Sequence, residues 1–153
     1  MFKKVKSVLV LQLTQGVSAE RLALSCALAF VLATFPVIGA TTVIVFVAAI
    51  LLKLNQPIMQ ALNYSLTPVH LILLPVFLRV GEKILGVTAV SLNLKEMHHL
   101  LQTDWRQFLS DYGTAGLHAI LGWFLIAPLS GLALYFILRP VFVHIAQRGL
   151  KRS

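Results

Sequence analysis

Long uncharged apolar runs alternate with short polar joints along the chain, and the runs are themselves interrupted. Residues 22–52 carry no charge and are broken near the middle by Phe35-Pro36-Val37-Ile38-Gly39. About twenty helical residues cross a bilayer core ~30 Å thick, so the run is long enough to span. Each arm, however, is only ~20 Å long at 1.5 Å per residue. Proline removes a backbone donor and glycine supplies positive φ, so Pro36 and Gly39 predict a turn inside lipid. The expectation is a helical hairpin over residues 17–54, broken at 35–39, that enters and returns. Ser18 is placed to cap its first helix, with Glu20 in the first turn.

The next apolar segment, residues 57–90, is interrupted by Asn63, Tyr64, Ser65, Thr67, Pro68 and His70, with Pro75 later. Irregular backbone at membrane depth is tolerated where it is buried in protein or faces a wet cavity. A second broken element is therefore expected. In residues 93–112, Leu94, Met97, Leu101, Trp105, Phe108 and Tyr112 step by three and four, which predicts one amphipathic interfacial helix. Asn93 with Glu96 starts it and Gly113 ends it. Residues 113–140 form a membrane helix or a hairpin broken at 128–131 by Pro128 and Gly131. Residues 1–16 are a basic interfacial segment and 141–153 a basic tail. The Pro36/Gly39 and Pro128/Gly131 breaks are read either as an internal repeat or, preferably, as two independent kinks.

Composition sharpens the class. Of 153 residues, 58% are hydrophobic and 12% charged, and mean hydropathy is +0.87. Soluble domains run at roughly 45–50% apolar and 25% charged, so this chain lacks the residues to cover itself for water. The expected fold is all-α: a single polytopic integral membrane domain with broken or re-entrant hairpins. Thirteen Lys and Arg oppose five Asp and Glu, a net charge of +8. They flank apolar segments instead of forming a stripe, which fits lipid headgroups and not nucleic acid. Lys3, Lys4 and Lys6 at one end and Arg148, Lys151 and Arg152 at the other place both termini in the cytoplasm, and an even number of crossings follows. No cleavable signal is read at the start. The single cysteine, Cys26, reads as a small buried hydrophobe.

Chemistry is sparse. His98 and His99 are adjacent and point about 100° apart on a helix, and no His-Glu-x-x-His or paired-Cys spacing occurs, so no metal or other cofactor is expected. No phosphate loop or nucleophile elbow is present, and catalytic residues are expected to be none; His70 with Glu82 is the one pair that an intramembrane enzyme could use. Polar groups inside apolar segments are the sharper signal. Asn63, Tyr64, Thr67 and His70 gather at one break, while Arg79 with Glu82 and Arg139 cap neighbouring segments. Helix N-termini aimed inward together with Arg79 or Arg139 would suit an anion such as a lipid phosphate. The alternative is that Asn63, Thr67 and His70 satisfy a kink while the arginines snorkel.

Gly16-Val17-Ser18, Phe35-Pro36-Val37-Ile38-Gly39 and Leu52-Lys53-Leu54-Asn55-Gln56-Pro57 resemble the bacterial membrane family called domain of unknown function 2062. Asn63-Tyr64 followed by Pro68, and Phe77-Leu78-Arg79-Val80-Gly81-Glu82, are similar to its second half. Tyr112-Gly113, His118-Ala119, Gly122-Trp123, Ala127-Pro128 and Leu138-Arg139-Pro140 resemble a subgroup of short, stand-alone members. Many members carry Ser-Asn-Pro where this chain has Asn63-Tyr64-Ser65. The resemblance implies a multi-pass protein of the bacterial inner membrane, appended in some relatives to glycosyltransferase-like domains, and it brings no catalytic residue. Two functions are weighed. One is transporter-like binding or movement of an anionic lipid or lipid-linked carrier. The other is a non-catalytic scaffold for envelope enzymes of the glycosyltransferase type, docking through residues 93–112. Membrane lipids, a further copy of the chain or such an enzyme are the partners expected.

Overall fold

The longest helix carries the packing. The computed structural model describes residues 18–37 and 39–150, with the backbone alone at 94 and 148–150. The described residues are all-helical: α1 (Ala19–Ala33), α2 (Ala40–Leu51), α3 (Gln56–Ser65), α4 (Thr67–Leu85), α5 (Leu94–Thr103) and α6 (Trp105–Leu150). The basic segment 1–16 and the last residues of the tail lie outside the described residues.

Local chemistry sets the boundaries. Ser18 Oγ accepts from Arg21 N–H and starts α1. Gly39, at φ 89°, begins α2 in the left-handed region, where a Cβ is unfavourable. Asn55 Oδ1 accepts from Ile58 N–H and starts α3, with Pro57 inside the first turn, where its missing donor costs nothing. Gly86, at φ 66°, ends α4. Asn93 accepts from Lys95 N–H at the start of α5, and Asp104 Oδ1 accepts from Arg106 and Gln107 N–H at the start of α6.

α1 and α4 both lie antiparallel along α6. Along α1, Glu20 meets Arg139, Val31 meets Gly131, and Val31 O meets the Trp123 indole. Along α4, Phe77 abuts Gly122 and Gly81 abuts His118. These approaches are backbone to backbone: a Cβ on Gly81 would stand 1.8 Å from His118 O, and one on Gly122 2.0 Å from Phe77 O. Ala115, Ala119 and Ala127 are buried on the same helix, so small residues let the neighbouring helices approach closely, as they do in membrane bundles. α3 packs between α1 and α2, burying Ile58 and Met59 against Leu22, Ala23, Ala29 and Val45.

The hairpin break is where the pattern placed it: α1 ends at Ala33 and α2 begins at Ala40. The second break also forms, with α3 and α4 bent by 67° at Leu66, next to Pro68. Three expectations are corrected. Residues 93–112 are not one amphipathic helix, because Asp104 leaves helical geometry and caps a new one. Gly113 does not end a helix; a lone glycine costs about 1 kcal/mol in a helix, and the packed residues on its C-terminal side outweigh that. Pro128 and Gly131 do not break α6, which runs continuously through both. Pro128 removes one backbone bond, a loss tolerated when neighbouring helices surround the site. Gly131 is the seat for Val31, whose Cγ2 a Cβ there would meet at 2.2 Å. With a single true Pro-x-x-Gly break, the repeat reading falls.

One helix, over Trp105–Gln147, is long and apolar enough to cross a membrane among the described residues, and the bent α3–α4 pair passes the same test when taken together. Large apolar side chains stand exposed along α2, α4 and α6, among them Leu51, Ile72, Phe124 and Leu129.

Candidate functional site

The two breaks meet. Where α1 stops, its last carbonyls lose their helical donors, and Pro36 has none to give. Thr34 Oγ1 donates to Phe30 O and Val31 O, and Trp123 Nε1 donates to Val31 O at 3.1 Å from across the fold. The Phe35 ring stands edge-on to Trp123 at 5.0 Å. α2 then starts with no side-chain cap. From α3, Gln60 Nε2 donates to Thr42 O at 3.0 Å and Asn63 Nδ2 to Thr42 Oγ1 at 3.3 Å. One turn past the Leu66 bend sits His70, 6% exposed, with Nε2 buried and unpartnered; Gln60 Oε1 is in the same condition. Buried polar atoms nearly always find partners, so two orphans, one on either side of the Leu66 bend, are unusual. At the other end of the hairpin, Asn55 N–H donates to Ser25 Oγ, which ties the return of α2 to the middle of α1.

A second polar group lies at the far end of α4. Glu82 is 3% exposed and accepts from Arg79 Nη1 at 2.7 Å and from Val90 N–H at 2.8 Å. Arg79 Nη2 also donates to Val90 O. The buried carboxylate thus anchors residues 86–93, a strap leading into α5. Tyr112 OH closes it from α6 by donating to Ser91 O at 3.2 Å. His118, whose backbone faces Gly81, has a buried Nδ1 with no partner.

The residues singled out from sequence therefore fall into three places. Asn63 and His70 are buried at the bend. Tyr64 and Thr67, beside them in sequence, face outward. Arg79 and Glu82 pair with one another. Arg139 donates through Nε and Nη2 to Glu20 of α1. Arg79 and Arg139 sit near opposite ends of the packed part of α6, about 30 Å apart counting 1.5 Å per residue from His118, and each already faces a carboxylate. Sequence reasoning missed Thr42, Gln60 and Trp123. Only Gln60 offered a signal, as an amide one turn before Asn63.

These features define an all-helical protein with, among the described residues, one long apolar helix, which points to association with a membrane. The chain belongs to the family described as "Uncharacterized protein conserved in bacteria (DUF2062)", whose model matches residues 3–151. No curated protein and no solved structure matches it.

Proposed function

We propose that the chain is a multi-pass, non-catalytic protein of the bacterial inner membrane that binds an anionic lipid or lipid-linked carrier at the junction of its two breaks. In this reading α6 and the bent α3–α4 pair are the crossings. The α1–α2 hairpin dips in beside α6 from the side of both termini and returns. Support comes from the antiparallel match of α1 to α6 and from the level of Trp123, near the middle of the apolar stretch 114–138. The far side then holds only Arg79, Lys83, Lys95 and Arg106 of the chain's thirteen Lys and Arg, the asymmetry expected of cytoplasmic termini.

The observation that carries the binding site is the buried, unpartnered His70 Nε2 one turn past the α3–α4 bend, with Gln60 Oε1 unpartnered before it and the start of α2, which has no side-chain cap, held against α3 through Thr42. Broken half-helices whose N-termini face an anionic group near the midplane are a recurring transporter device. Both arginines are ion-paired, so the anion would be held by backbone dipoles and these neutral side chains. Liposomes carrying wild type, His70→Ala or Asn63→Ala, with a fluorescent anionic phospholipid, measure its movement between leaflets. Wild type is expected to exceed both variants; a rate equal to protein-free vesicles removes the reading. Single cysteines placed at Asn93 and Ser130 in a Cys26→Ala background check the topology. Asn93 should label from the side opposite the termini and Ser130 from neither.

A scaffold reading is favoured by one feature: Trp105 is 58% exposed, with Leu101 and Leu109 exposed near it, while Phe108 turns in to stack on Tyr112 at 4.9 Å. A partner docked there would be lost from pulldowns on Trp105→Ala.

A further inference from the structure

The strap, α5 and the first turns of α6 border an open cavity of about 470 Å³, lined by Val90, Ser91, Glu96, Leu100, Asp111 and Tyr112 with three further Ser and Thr residues. That volume is in the range of small-molecule sites. Its wall is held in place from behind, since Glu82 and Arg79 fix both backbone groups of Val90, and Tyr112 fixes Ser91. No Lys, Arg or His lines it, although the chain as a whole is strongly basic. Two carboxylates do line it, and Glu96 Oε1 takes only a 3.4 Å contact from Asn93 Nδ2.

A hard divalent cation asks for six or more oxygens in its shell. Among the described residues no three His, Cys, Asp or Glu side chains lie where they could share a metal, and the volume far exceeds one ion. The lining instead combines negative charge, several hydroxyls and two apolar walls, Val90 and Leu100. We propose that this cavity binds an organic primary ammonium flanked by oxygen groups, the chemistry shared by a soluble amino sugar and an ethanolamine lipid headgroup. The carboxylates take the ammonium by charge-assisted hydrogen bonds, and the hydroxyls meet the neighbouring oxygens. The lipid source rests on the membrane topology proposed above, whereas the soluble source does not.

The test uses the full chain in a sugar-free detergent and in lipid nanodiscs. In detergent, calorimetric titration compares glucosamine with glucose, which has a hydroxyl in place of the ammonium. In nanodiscs, native mass spectrometry compares retention of phosphatidylethanolamine with phosphatidylcholine, whose quaternary nitrogen has no N–H. An ammonium probe is expected to bind about tenfold or more tightly than its counterpart, and Glu96→Gln with Asp111→Asn to lose that preference. Asp111→Asn alone, a conservative change at an exposed position, should lose part of it at unchanged helicity. Preference for glucosamine alone assigns the soluble source, and preference for the ethanolamine lipid alone assigns the headgroup. No preference in either arm, or a preference that survives the double substitution, overturns the proposal. The cysteine-labelling pattern judges the topology separately, so the two failures are distinguishable.

Discussion

Gly122→Ala is the most informative single substitution. The added Cβ would lie 2.0 Å from Phe77 O, and real Cβ atoms essentially never approach closer than 3.0 Å, so α4 and α6 must part by on the order of 1 Å. A gap of 0.5–1 Å forfeits roughly a quarter to a half of each dispersion contact. The contacts at risk are those of Phe77, Leu78, Ala119 and Trp123, all in one buried cluster. Overpacking of this kind costs about 1–3 kcal/mol, and here the obstacle is backbone, which cannot rotate away. Alanine's better helix propensity returns about 0.5–1 kcal/mol. With a backbone obstacle the cost falls at the upper end, and a net loss of roughly 2 kcal/mol lowers Tm by about 4–8 °C in a chain of this size. Thermal melting followed by circular dichroism in one detergent is the assay. Gly116→Ala is the internal control: nothing lies within 4 Å of a Cβ there, so it should melt at or slightly above wild type. Because Gly81→Ala opens the same pair of helices, the double variant should lose less than the two single losses together. If Gly122→Ala melts with Gly116→Ala, the two helices are not in backbone contact and the account of α6 fails.

Three other outcomes follow from particular bonds. Glu82→Gln weakens the hold on Arg79 and Val90, so limited proteolysis should cut residues 86–93 several times faster, and stability should fall by about 1.5–3 kcal/mol; an unchanged cutting rate would show the strap held by something else. Trp123→Phe removes one of the two donors to Val31 O and leaves it Thr34 Oγ1, so the loss is that of one ordinary hydrogen bond, about 0.5–1.5 kcal/mol, read as a Tm lower by a few degrees. Gly39→Ala forces a Cβ into left-handed geometry at φ 89° and should destabilise by about 1 kcal/mol or more, with Gly39→Asn milder. Equal melting of these two would mean that the hairpin turn relaxes.

Much of the helical skeleton was legible because it rests on local signals. Ser18, Gly39, Pro57 and Asn93 each act on their own few residues, and the pattern placed their boundaries to within a residue or two. Pro128 and Gly131 carry the same residue types as Pro36 and Gly39 and behave oppositely. The difference is tertiary: Val31 fills the space over Gly131, whereas positive φ at Gly39 turns the chain, and neither can be read from spacing. Asp104 was legible and overlooked, since it stands before Trp105 as a cap with two amides within reach. The site was half legible. Asn63, His70, Arg79, Glu82 and Arg139 stood out as polar groups in apolar runs, but Thr42, Val90 and Glu20, the partners of Asn63, of Arg79 with Glu82, and of Arg139, come from remote segments. Arg79 read with Glu82 and is paired with it, whereas Arg139, which read as a cation without a partner, faces Glu20.

Trp105 and Trp123 are the chain's two tryptophans. One is 58% exposed; the other is 8% exposed and bonded to the carbonyl that ends the first hairpin arm. With Trp105 replaced by Phe, the fluorescence of the surviving indole reports directly on the docking of that arm. A shift of its emission to longer wavelength on adding a ligand would register the α1–α2 turn lifting from α6, with no label attached.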